Sequence, residues 1–96
     1  MLLKEAKKIL LAKQRDLAAL GVRTLALFGS VARNEGSSKS DVDILVDFDA
    51  KKGLFAFIDL KHYLEHLLKC KVDLVTKNAL HPALKDSILH EAKNVF

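Results

Sequence analysis

The sequence predicts an α/β fold: a small mixed β-sheet of three or four strands with helices packed against it. Helical and strand patterns alternate along the 96 residues in the order helix, strand, short helix, strand, helix, strand, helix. Three short apolar runs, at 23–28, 42–48 and 71–75, read as strands. The link between the first two is short for a parallel crossover, which needs a dozen or more residues including its helix, so a mixed sheet is expected.

Residues 2–20 carry Leu3, Ala6, Ile9, Leu10, Leu17 and Leu20 on one helical stripe, with charged and amide side chains opposite, and Gly21 is the stop signal. Gly29 and Ser30 break the first strand, and Ser30 is placed to cap a short helix running through Ala32 and Arg33. Residues 34–40 form the most polar stretch and read as a loop. After the second strand, residues 49–52 turn into a helix over 53–68, with Phe57, Leu60, Leu64, Leu67 and Leu68 on its apolar stripe. Pro82 fits the first turn of a last helix, with Leu84, Ile88, Leu89 and Ala92 expected to face inward.

A chain of this length suits one domain, 1–96. So small a domain buries a modest share of its surface, and a partner or a second copy would then matter for stability as well as function. The formal net charge of +4 favours polyanions such as nucleotides. No block of five or six like charges marks a nucleic-acid arm, and no docking element for nucleic acid stands out, so a nucleic-acid partner is not expected. The one cysteine, Cys70, excludes an intramolecular disulfide and reads as a partly buried structural thiol. No apolar run approaches a membrane span, and lysines interrupt the basic N-terminus, which does not read as a secretion signal. The cytoplasm is the expected compartment, without membrane contact.

The chemistry is carried by acids on strands. Asp41 and Asp43 stand two apart at the start of the second strand, so both carboxylates point the same way while Val42 and Ile44 point to the core. Asp73 sits between Val72 and Leu74, and the same alternation frees it from the core. If the two strands are neighbours, three carboxylates converge, and their mutual repulsion calls for a cation. Such oxygen donors suit magnesium, or manganese. Two ions roughly 3.5–4 Å apart can clamp the attacking and leaving oxygens of a phosphoryl displacement. Gly29 lets the backbone approach a ligand closely, the helix after it offers unpaired amides, and the Ser30 hydroxyl and Arg33 are placed to meet a triphosphate.

At these residues the chain resembles the minimal nucleotidyltransferases (MNT group) of the DNA polymerase β-like superfamily. The pattern is Gly-Ser, ten residues, then Asp-x-Asp, and Ser30 and Asp41 enclose ten. Phe28-Gly29-Ser30-Val31-Ala32-Arg33 is similar to the group's phosphate-binding turn. The stretch from Ser40 to Val46 is similar to its metal strand, and Val72-Asp73-Leu74-Val75 to the strand giving the third carboxylate. The likeness runs through the terminal helix at Ile88-Leu89-His90-Glu91-Ala92. One departure is Asn34, where the group often has glycine. The resemblance implies the nucleotidyltransferase fold, with Asp41 and Asp43 binding two Mg2+ ions and the triphosphate, and Asp73 completing the site and helping to activate an acceptor hydroxyl. It further implies ATP as substrate, transfer of AMP with loss of pyrophosphate, and a helical HEPN-type protein as partner in a toxin–antitoxin pair. The alternative reading is an antitoxin that neutralises its partner by binding alone.

His62 and His66 have zinc-compatible helical spacing but lack a third ligand, and they read as a surface pair. Asp47 and Asp49 read as decoration of the strand exit, and Lys51, Lys52 and Lys77 as cations of unranked relevance to phosphate.

Overall fold

The computed structural model describes residues 2–34 and 41–96. Helices α1 (Leu3–Ala12) and α2 (Gln14–Ala19) lead into strand β1 (Val22–Phe28) and the four-residue helix α3 (Gly29–Ala32). Strand β2 (Val42–Phe48) follows, then a 3-10 turn (Ala50–Lys52) and helix α4 (Gly53–Leu68). Strand β3 (Val72–Thr76), a second 3-10 turn (Lys77–Ala79), helix α5 (Pro82–Glu91) and strand β4 (Lys93–Asn94) complete the described chain. Of the loop expected over 34–40, residues 35–40 lie outside the described residues.

The sheet has the order β3-β2-β1-β4. β1 is antiparallel to both its neighbours, and β2 and β3 are parallel, joined by α4 as crossover helix. The sheet is therefore mixed, as expected. β4 is too short to leave a periodic signal, and it is held from both sides of Leu25: the Val95 amide donates to the Leu25 carbonyl at 2.8 Å, and the Leu25 amide to the Phe96 carbonyl at 3.1 Å.

One face of the sheet carries the main core. Leu25 and Leu27 of β1 pair with Val46 and Ile44 of β2, and Val42 and Ile44 with Val72 and Leu74 of β3. Ala6 and Leu10 of α1, Leu17 of α2, and Leu60, Leu64 and Leu68 of α4 bury against that face. The i, i+4 spacing within α1 and α4 puts each set on a single stripe. Among the described residues, no helix is long and apolar enough to cross a membrane.

Three expectations about helices are corrected. The helix expected over 2–20 is two helices, broken at Lys13, which has φ −112° and ψ 17°. The stripe of Ala6 and Leu10 meets two polar residues, Lys13 and Gln14, at its next turn, and it resumes at Leu17, which is buried. Ser30 does not cap α3, because the helix already begins at Gly29, with Phe28 in the cap position and no side-chain cap bond. The last helix does not turn Leu84 and Leu89 inward: they are 57% and 41% exposed, and α5 buries no residue fully. His81 starts that helix, its Nδ1 accepting from the Ala83 amide at 3.1 Å, with Pro82 in the first turn as expected.

Asn34 has φ 58°, a left-handed conformation that asparagine tolerates better than most residues. Its side-chain Oδ1 also accepts from the Leu3 amide at 3.0 Å, serving the open N-terminus of α1, whose own cap residue, Leu2, has no side-chain acceptor. The departure from glycine thus keeps the turn and gains a cap. Asn34→Ala is expected to cost about 1–2 kcal/mol from the lost cap bond and the left-handed strain. Asn34→Gly loses the cap alone and falls between the two in a urea melt; an alanine variant as stable as the parent would contradict this account.

Candidate active site

The face of the sheet opposite the main core carries the acids. In Cα register, Asp43 lies between Phe28 of β1 and Asp73 of β3. Side chains in register on adjacent strands share a face, so the Asp43 and Asp73 carboxylates stand side by side, within hydrogen-bonding reach. Asp43 is half-buried, whereas Asp73 is exposed. Asp41 precedes β2 by one residue and is exposed, and it repels Asp43 more weakly than Asp73 does.

Burial pushes the Asp43 carboxyl above its ordinary range; the charge on Asp73, the hydrogen bond to it, and the charge on Asp41 push the same way, while the Arg33 guanidinium pulls it down. An acid held in this state is unfavourable for the fold alone. The strand register offers it no cationic or hydrogen-bond-donating side chain: its neighbours across the sheet are a phenylalanine and another acid.

The end of β1 abuts this pair. Gly29 has φ +70°, and a β-carbon there would run into Asp43 Oδ2, with Asp43 Cγ at 3.0 Å. The absent side chain is the space that the Asp43 carboxylate occupies. Ser30, half-buried, lies in the first turn of α3, where backbone amides lack intrahelical partners. α3 is a single turn, so its dipole adds little, and the first-turn amides of the half-buried Gly29 and Ser30 are what it offers an anion. Arg33 follows α3, and its Nη1 donates to Oε1 of Glu91, the last residue of α5.

The donor set is made of hard, anionic oxygens and fits magnesium or manganese. Among the described residues, no three His, Cys, Asp or Glu side chains are gathered closely enough to hold an ion together. Asp43 and Asp73 meet; Asp41, at the exposed mouth, stands apart, as repulsion among like charges favours.

Other residues considered from the sequence are elsewhere. Asp47 and Asp49 each lie 3.8 Å from Arg23, at the far end of β2, about 13 Å or more along the strand from Asp43. Asp49 also accepts from the Lys51 amide at 3.0 Å and starts the 3-10 turn. Lys51, Lys52 and Lys77 follow the same strand ends, remote from the acids. His62 and His66 are both exposed on α4, as a surface pair should be. An apolar groove of about 450 Å³ between Phe48, Leu54, Phe57, Leu74 and Ala79 contains none of the predicted site residues. Sequence reasoning missed Glu91. Its signal was an acid in the last turn of a helix, where the dipole favours cations.

Comparison with known proteins gives the family and the fold. The family model described as a nucleotidyltransferase domain matches residues 3–95. The protein adenylyltransferase MntA of Thermococcus cleftensis is 44% identical over 90 residues, which span 93% of this chain and 91% of that protein. A solved structure described as a candidate minimal nucleotidyltransferase superposes with a TM-score of 0.84 at 36% identity, covering 97% of this chain and 95% of that one. The toxin–antitoxin complex MntA–HepT contains a chain that matches with a TM-score of 0.69, covering 97% of this chain and 71% of its own; at 22% identity that likeness is one of fold. The chain belongs to the nucleotidyltransferase domain family.

Proposed function

We propose that this nucleotidyltransferase moves AMP from ATP to a hydroxyl on a HEPN-type protein partner, in the cytoplasm, as the antitoxin of a toxin–antitoxin pair. One observation carries the reading: an otherwise unfavourable contact between Asp43 and Asp73 sits against the Gly29 turn, where a phosphate chain can approach backbone amides. The relative named MntA, a protein adenylyltransferase, supports AMP as the transferred group and a protein as the acceptor. The MntA–HepT complex supports the partner class.

In this reading Asp41 and Asp43 hold magnesium, with manganese as a substitute, and Asp73 completes the ligand set. The metal, when bound, neutralises charge on the triphosphate and on the departing pyrophosphate. The residues of the chain do the rest. The Gly29–Ser30 amides and the Ser30 hydroxyl orient the triphosphate, and Arg33 offsets its charge. Asp73 takes the proton of the acceptor hydroxyl. The acceptor oxygen then forms a bond to the α-phosphorus, and the bond from that phosphorus to pyrophosphate breaks.

The test is to incubate the protein with ATP labelled on the α-phosphate, magnesium and a HEPN-type protein partner. Label is expected on the partner, and none with Asp43→Ala. Neutralisation of the partner by both proteins without label would replace the enzyme with a binding antitoxin.

A further inference from the structure

We propose that Glu91 is the positioning residue of the phosphate clamp: its carboxylate holds the Arg33 guanidinium in the orientation that serves the triphosphate at the Gly29–Ser30 turn. The inference rests on the functional reading above and extends it to a residue outside the Gly-Ser and Asp-x-Asp motifs.

The first observation is the contact. Arg33 and Glu91 lie 58 positions apart in sequence, yet Nη1 of one donates to Oε1 of the other. The pair ties α3, which carries the phosphate turn, to the end of α5. The second is the position of Glu91. A carboxylate at the C-terminal end of a helix faces the negative end of the dipole, so α5 alone disfavours it there. Local rules broken without local compensation concentrate where function is served, and here the compensation is Arg33. The third is the anchoring of Glu91. Two residues beyond it, Lys93 and Asn94 pair with Leu27 and Ala26 of β1. Those β1 residues directly precede Phe28 and Gly29. Glu91 is thus registered, through β4, against the strand that ends in the phosphate turn.

Whether Glu91 helps or competes is a matter of magnitudes. A carboxylate beside Arg33 partly cancels the charge that attracts phosphate. The side chains are 48% and 30% exposed, so solvent screens that cancellation. An untethered arginine carries about 2 kcal/mol of rotamer entropy, which must be surrendered when it engages an anion. Holding the guanidinium in place beforehand removes part of that cost. A guanidinium carries five N–H donors in a fixed fork, more than one carboxylate oxygen can accept. Preorganisation therefore outweighs competition, and losing Glu91 weakens nucleotide binding.

The experiment is a double-mutant cycle on ATP affinity, measured by calorimetry with saturating magnesium, using Arg33→Gln, Glu91→Ala and the double variant. Glu91→Ala is expected to weaken ATP about 3- to 10-fold, and Arg33→Gln by more. The double variant should bind no worse than Arg33→Gln, because Glu91 acts only through Arg33. Glu91→Gln, which keeps shape and an acceptor oxygen, should fall between parent and Glu91→Ala. Transfer to the partner at limiting ATP should fall with ATP affinity in both Glu91 variants, and saturating ATP should restore part of it. Additive losses in the cycle, a Glu91 variant that binds ATP as well as or better than the parent, or a loss confined to melting temperature would each overturn the proposal. If the parent itself neither binds ATP nor transfers label, the functional reading fails first; if the parent does both and the cycle is additive, only the role of Glu91 falls.

Discussion

Asp43→Asn is expected to abolish transfer, by about 10³-fold or more, while raising the melting temperature of the metal-free protein at neutral pH. The loss follows from removing the carboxylate closest to both the Gly29 turn and Asp73, on the scale at which a principal electrostatic stabiliser of a transition state is lost. The gain follows from the same geometry. Burial first, then Asp73 and Asp41, raise the Asp43 carboxyl above its ordinary value of 3.8. A group raised on folding contributes its stability in full below its unfolded pKa and loses it as pH rises through the folded value. At pH 7 the ionised Asp43 is therefore a liability to the fold, and asparagine, which keeps the shape without the charge, relieves it. The advantage of the variant should shrink as pH falls through the raised value of Asp43 and vanish below the ordinary value of 3.8. Added magnesium should raise the melting temperature of the parent and leave the variant unmoved, since a ligand stabilises only the state that binds it. Thermal melts from pH 3 to 8, with and without magnesium, check all three statements. A variant that melts below the parent at pH 7 without metal would mean that Asp43 supports the fold, and the reading of a strained acid pair would be lost.

This trade between stability and activity explains which parts of the site were legible in the sequence. Asp43 and Asp73 could be read because strand alternation fixes which face a side chain takes, and the apolar neighbours Val42, Ile44, Val72 and Leu74 fix which face is core. Their direct pairing followed once β2 and β3 were neighbours, which a helix the length of α4 between them makes natural. The core stripe of α4 was legible for the same reason: Leu60, Leu64 and Leu68 repeat every four residues. Contacts between distant segments were not. The bond from Asn34 to the Leu3 amide and the pairing of Arg33 with Glu91 link positions with no shared local pattern. The exposure of Leu84 and Leu89 was misread because an apolar stripe says that a helix has a face to cover and not what covers it. β4 escaped because two residues make no period, and its hold on β1 comes from backbone bonds that any sequence could make.

Gly29→Ala should be the most damaging change that leaves every charged and polar side chain in place. Two costs act at once. The residue sits at φ +70°, where a β-carbon costs about 1–2 kcal/mol. The new methyl also enters the volume held by Asp43 Oδ2, so either the carboxylate or the turn must move. A displacement of about 1 Å in a reacting constellation is enough for a 10²-fold loss. Gly53 supplies the control. It too has a positive φ, +86°, with ψ 176°, but an added β-carbon there meets nothing within 4 Å. Gly53→Ala should pay a backbone cost alone, with its own fall in a urea melt and near-parental transfer at a temperature where both variants are folded. Gly29→Ala should lose at least about 10²-fold in transfer under the same conditions, and its affinity for ATP with magnesium should fall in parallel. Equal activity in the two variants would mean that the contact between the turn and Asp43 is packing without catalytic consequence. A selective loss at Gly29, with both variants folded, ties the phosphate turn and the acid pair into one site through the absence of a single methyl group.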